Sequence, residues 1–171
     1  MALFERAAGA LIAAAAAVLA FPGAASAAGT PRAQFWDEPY FQGYKLDKDV
    51  SVSNSWGQWT TVPDLSKEGL SCWFCSGNWD NRITSLSTTG GGQSPVDLLA
   101  YTETYYRGMC VYIHKNVQLR DLAAEEIPVR YPDGHSGYVF LGRSISSFTI
   151  ANYTFLPPPG CLVYDGPDSY P

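Results

Sequence analysis

Two octapeptides in this sequence share one frame. Trp36-Asp37-Glu38-Pro39-Tyr40-Phe41-Gln42-Gly43 and Tyr101-Thr102-Glu103-Thr104-Tyr105-Tyr106-Arg107-Gly108 both read aromatic-x4-aromatic-x-Gly. Each is followed, at comparable distance, by a segment carrying a serine: Asp80 to Ser87 around Ser85, and Gly142 to Thr149 around Ser147. The offset between copies is roughly 62 to 65 residues, so the chain is a two-fold internal repeat. Each frame reads as a folded hairpin in which Trp36 packs on Phe41, or Tyr101 on Tyr106, across a tight turn. Gly43 or Gly108 supplies backbone freedom at positive φ that other residues resist. Ser85 or Ser147 can then hydrogen-bond the folded-over hairpin and pin it.

The rest of the chain reads as short strands. Tyr44 to Val52, Gly57 to Val62, Arg82 to Thr88, Val96 to Thr102, Gly108 to His114, Gly137 to Leu141 and Ser144 to Tyr153 are rich in aromatic or β-branched residues and punctuated by Gly, Pro, Asn, Asp or Ser. No extended apolar stripe at helical spacing lies between Ala33 and Ala151. Seven or eight short strands predict an antiparallel sandwich or barrel. Only Pro63 to Glu68 and Arg120 to Glu126 read as short helices, each with an Asp able to cap free amides.

Residues 1–27 read as a leader. Ala7 to Phe21 is an apolar run preceded by Arg6 and followed by Pro22-Gly23-Ala24-Ala25-Ser26-Ala27. That run is shorter than the roughly 20 residues needed to span a bilayer, and Ala25 and Ala27 fit a cleavage site, so a secreted product and no membrane span are expected. An oxidising destination makes Cys72, Cys75, Cys110 and Cys161 disulfide candidates, and four cysteines allow three pairings. One arrangement joins Cys72 or Cys75 to Cys110, with Cys161 tying down the tail. Cys72-x-x-Cys75 lacks the second pair a zinc site needs and the strand-to-helix context of a redox site. With 11 Lys+Arg against 16 Asp+Glu the net charge is -5, which offers no footprint for nucleic acid. His114 and His135 are the only imidazoles, and neither sits in a nucleophile elbow or a zinc-protease helix, so no catalysis is expected.

The paired frames and their serines resemble the Greek-key motifs of the βγ-crystallin superfamily, of the microbial, secreted, single-domain kind. The resemblance implies a two-sheet Greek-key β-sandwich over 28–151, with motif one at about 33–90 and motif two at about 96–151. Gly29 to Ala33 would be a leader strand or arm, and 152–171 an extended Pro-rich tail. It also implies a calcium clamp at Asp80-Asn81-Arg82-Ile83-Thr84-Ser85, which has the family's N/D-N/D-x-x-S/T-S spacing. Asp80 and Asn81 would offer side-chain oxygens, Arg82 its carbonyl and Thr84 its hydroxyl, joined by Thr102 or Glu103 of the other hairpin. A hard cation takes six to eight such oxygens. The reciprocal site would use Asp37 or Glu38 with Ser144 and Ser146. There Gly142 and Arg143 replace the two Asn/Asp residues, so one calcium at most is expected. The implied role is a secreted calcium-binding structural protein stabilised by its ion. The alternative is a secreted protease inhibitor or toxin-like module that presents a loop, with Ile127 to Gly137 the protruding element, to an extracellular protein target.

Overall fold

The computed structural model describes residues 29–55, 57–70, 76–153 and 156–167. Residues 1–27, which the sequence reads as a leader, and Cys72 and Cys75 lie outside the described residues. The first repeat opens with β1 (Arg32–Glu38), folds over through a tight turn at Pro39–Phe41 and returns as β2 (Gln42–Asp49). A second hairpin, β3 (Val52–Asn54) and β4 (Gly57–Val62), follows, and β5 (Ser85–Ser87) comes back to lie beside β1. The second repeat takes the same course. β6 (Asp97–Glu103) folds over at Thr104–Tyr106 into β7 (Arg107–Ile113), and β8 (Gln118–Leu119) is its short third strand. After an inserted hairpin of β9 (Glu126–Arg130) and β10 (Ser136–Phe140), β11 (Ser147–Ala151) pairs with β6. β12 (Leu162–Tyr164) closes the described chain.

Among the described residues these strands form two sheets, ordered β2-β1-β5-β8 and β10-β9-β12-β7-β6-β11-β4-β3. The orders record an exchange between the repeats. β4 of the first pairs with β11 of the second, and β8 of the second pairs with β5 of the first. Neither repeat completes a sheet without the other, and in each the last strand returns beside the first as a Greek key requires. The fold is therefore the all-β, two-sheet sandwich that the strand pattern predicts. Its core lies between the sheets, where Phe35 of β1 stacks on Phe148 of β11 with ring centroids 4.6 Å apart. Both rings are fully buried, among Leu86, Leu98, Ile113 and Ile150. Each such side chain contributes about 1.5–3 kcal/mol when removed from water.

Four features differ from the sequence reading. Gly29 to Ala33 is not a separate arm, because β1 begins at Arg32 and runs through the whole first aromatic frame. Ile127 to Gly137 is not a protruding loop but β9, a tight turn and the start of β10, since Ile127 and Val129 alternate inward and are fully buried. Residues 152–171 are not all tail. Leu162–Tyr164 insert between β7 and β9, parallel to β7, and bury Tyr164. That insertion also settles Cys110, whose partner is Cys161 rather than Cys72 or Cys75. Leu162 pairs with Val111, so the bridge sits at the start of the parallel ladder and holds its register. Closing a loop of sequence separation 51 restricts the unfolded chain; the loop-entropy argument puts that contribution at about 4 kcal/mol.

The two short helices also resolve. Asp64 caps a single 3-10 turn at Leu65–Lys67 through the Ser66 amide at 2.9 Å. Hydrogen bonds from Ser66 hold the Asp64 carboxyl below the usual carboxylate range. Asp121 accepts from the amides of Ala123 and Ala124, but the segment stays a run of turns. Among the described residues no helix is long and apolar enough to cross a membrane.

Candidate metal centre between the repeats

Each aromatic frame builds the same folded hairpin. Tyr40, Phe41, Tyr105 and Tyr106 all take positive φ, between 56° and 62°. The turn brings Trp36 edge-on to Phe41 at 5.0 Å and Tyr101 to Tyr106 at 5.6 Å. Burial, and then Tyr106, push the Tyr101 phenol up. Ser85 Oγ donates to the Glu38 carbonyl at 2.8 Å and accepts from the Phe41 amide at 3.1 Å. Ser147 Oγ does the same with the Glu103 carbonyl at 2.6 Å and the Tyr106 amide at 3.1 Å.

Gly43 and Gly108 share a φ of 74°. A Cβ there would lie 2.3 Å from Asp37 Oδ1 or 2.5 Å from Thr102 Oγ1. Those two oxygens are held close because they accept from the Tyr44 amide at 2.7 Å and the Met109 amide at 2.9 Å. Asp37 and Thr102 thus brace their own hairpins, a role the sequence frame showed only as equal spacing from the glycine.

The serine-bearing hexapeptides meet across an approximate two-fold axis. The Asn81 amide donates to the Ile145 carbonyl at 3.2 Å, and the Arg143 amide donates to the Ile83 carbonyl at 3.1 Å. The Thr84 amide reaches the Trp36 carbonyl, and the Ser146 amide the Tyr101 carbonyl, both at 2.9 Å. Leu65 donates to Ser146 and Leu122 to Thr84, at 2.9 and 2.7 Å. Every one of these bonds has its counterpart in the other repeat.

This reciprocity divides the expected ligands differently from the sequence. Asn81 Oδ1 accepts from Ser146 Oγ of the second hexapeptide at 3.2 Å. Arg82, of the first, reaches back to its own hairpin, with Nη2 2.9 Å from Asp37 Oδ2. The first-hexapeptide ligands are therefore divided between two loci that adjoin at Asn81, which also lines one cavity with Asp37, Arg82 and Arg143. Asp80 stands beside Asn81, whose Nδ2 donates to its Oδ2. Its other oxygen, Oδ1, is buried with no hydrogen-bond partner among the described residues. Thr102 Oγ1 is engaged within its hairpin; the side chains of Glu38 and Glu103 are exposed, while their carbonyls receive the pinning serines. Ser144 Oγ turns back to the Leu141 carbonyl at 2.8 Å.

The two loci differ in whether they suit a hard cation. At the first, an amide oxygen of Asn81 and the hydroxyl of buried Ser146 come from opposite repeats and converge, and Asp80 leaves an uncompensated carboxylate oxygen nearby in sequence. That donor chemistry suits a hard cation in kind and supplies two of the six to eight oxygens that calcium takes. It is mostly neutral, and among the described residues no group of three His, Cys, Asp or Glu side chains could hold a metal. At the second locus the two-fold relation sets Arg143 where Asn81 stands in the first, and Thr84 where Ser146 stands. Thr84 Oγ1 is buried and unpartnered. A guanidinium in a ligand position and another already paired with Asp37 do not fit a cation. Gly142 has no room to be Asn or Asp, because a Cβ there would lie 1.8 Å from the Leu122 carbonyl oxygen.

No family model and no curated protein matches the chain. A structural comparison finds a solved chain described as "Evolution of the eye lens beta-gamma-crystallin domain fold", at TM-score 0.46 and 14% identity, covering 74% of this chain and 90% of that one.

Proposed function

We propose that the protein is a secreted, non-catalytic βγ-crystallin-like module that takes one calcium ion at the Asn81–Ser146 locus and is stabilised by it. The observation that carries this reading is the convergence of Asn81 Oδ1 and Ser146 Oγ at 3.2 Å from opposite repeats. Asn81 and Ser146 would hold the ion, with Asp80 adding charge beside them. A cation there would tie the two repeats together, so its binding energy would appear as folding energy. The few charged ligands place the affinity at about 10⁻⁴–10⁻³ M, the range of extracellular calcium modules.

The test is a thermal melt of the oxidised protein in excess EDTA and in millimolar calcium, for the wild type and for Asn81→Gly, which keeps the local backbone free. The reading expects a calcium-dependent rise in Tm in the wild type and none in the variant. Equal melts in both conditions would end it.

A second reading, binding to an extracellular protein target, draws support from β10. It is an edge strand with Tyr138 64% and Phe140 48% exposed, and an open edge with apolar side chains can accept a further strand. Inhibition of a protease panel, unaffected by EDTA and lost in Tyr138→Lys, would favour it.

A further inference from the structure

The locus that does not suit a cation is positively charged, although the chain as a whole carries -5. A cavity of about 200 Å³ there is lined by Asp37, Asn81, Arg82 and Arg143. Asp37 is neutralised within the protein. Its side chain is only 7% exposed, with Oδ1 bonded to the Tyr44 amide and Oδ2 to Arg82. Arg143 faces the same cavity, is exposed and makes no ion pair among the described residues. Among the lining residues one positive charge is left over; Asp80, next to Asn81, is not one of them.

Arg143 is also held in an uncommon backbone conformation. Its φ of 54° is the left-handed region, which costs a residue with a Cβ about 1–2 kcal/mol. The conformation is fixed by the amide bond to Ile83 and by the close approach of the preceding Gly142 to Leu122. Strain that the surroundings over-determine is found at ligand clamps. A guanidinium presents planar, forked donors that match the oxygens of an oxyanion. The cavity has room for one group of that size.

We propose that Arg143, with Arg82 beside it, forms a binding site for a small free oxyanion of the phosphate type. The site uses the geometry of the repeat's second locus with its charge reversed. It adjoins the proposed calcium locus at Asn81, which lines the cavity, but it requires no metal.

The experiment is an amide and arginine-side-chain NMR titration of the oxidised protein with inorganic phosphate in excess EDTA, against sodium chloride of equal ionic strength. Saturable shifts are expected at Asn81, Arg82, Arg143 and Ser144 and at the Arg143 Nε–H, with phosphate and not with chloride. Arg143→Asn suits the left-handed backbone and should fold; it is expected to weaken binding about tenfold or more. Arg130→Gln, which removes an exposed arginine paired with Asp165 outside the cavity, should leave the phosphate response in place. Shifts that do not saturate, that chloride reproduces or that survive Arg143→Asn would overturn the proposal. Because EDTA is present throughout, its failure and the failure of calcium binding are read separately.

Discussion

Asn81 and Arg143 occupy equivalent places in the two repeats, share a φ of 54° and exchange matching bonds with Ile145 and Ile83, yet their surroundings diverge. Asn81 accepts from Ser146 of the other repeat and also lines the cavity that holds Arg82 and Arg143, whereas Arg143 has only guanidinium and amide neighbours there with one neutralised carboxylate. The backbone relation between the repeats is enforced by hydrogen bonds that any residue can make. The chemistry at its two loci rests on side chains that the backbone does not choose, so one locus can change charge while the fold stays two-fold.

The largest effects are expected where the repeats are the same. Ser85→Ala and Ser147→Ala each remove two part-buried hydrogen bonds to the folded hairpin, and each should destabilise the protein by about 1–3 kcal/mol in urea unfolding. Losses that differ several-fold would break the equivalence of the two hairpins.

Next comes the strained pair. Arg143→Gly should raise stability by about 1 kcal/mol by relieving the left-handed backbone, and Asn81→Ala should lower it by about the same amount or more. A smaller contrast separates the two hydroxyls. Thr84→Val removes an unpartnered buried oxygen at constant shape and is expected to be neutral or stabilising by up to about 1 kcal/mol, whereas Ser146→Ala removes a made bond and should cost about 1 kcal/mol. If both were destabilising alike, Thr84 would have a partner after all.

The smallest effect is a pH dependence from the cap in the first repeat. The Asp64 carboxyl is held below its ordinary value of 3.8, so its stabilising contribution is complete above that value and is lost as the pH falls through the lower folded one. Urea midpoints should decline in that acid window, and Asp64→Asn should flatten the decline.

Much of the fold was legible because it is written locally. The aromatic, glycine and serine positions of each hairpin lie at fixed spacing, and Gly43 and Gly108 take the positive φ that the spacing predicts. The shorter and later elements were not. β8 has two residues and owes its existence to β5, while β12 is a three-residue segment between β7 and β9 whose neighbours lie far off in sequence. Pro128 within Ile127–Arg130 reads as a loop signal, yet it lies in β9 opposite Tyr138, at a position that the β12 ladder, which reaches only Val129 and Arg130, does not cover.

The candidate site was half legible for the same reason. The hexapeptide pattern picked out Asp80, Asn81, Arg82 and Thr84, but spacing within one segment cannot say which of them face the other repeat. Arg143 was visible as a departure from the pattern; that its partner Arg82 neutralises Asp37 was not.

What the sequence by itself determined is the repeated unit: an all-β chain with two folded hairpins, each with its pinning serine, because those features depend on backbone sterics and side-chain reach within a short span. What only the tertiary structure decided is the exchange of β4 and β8 between sheets, the Cys110–Cys161 bridge and the sorting of ligands into one oxygen-rich locus and one arginine locus. These depend on which distant segments meet. That is set by how the two apolar faces close on one another around Phe35 and Phe148, and no local spacing encodes it.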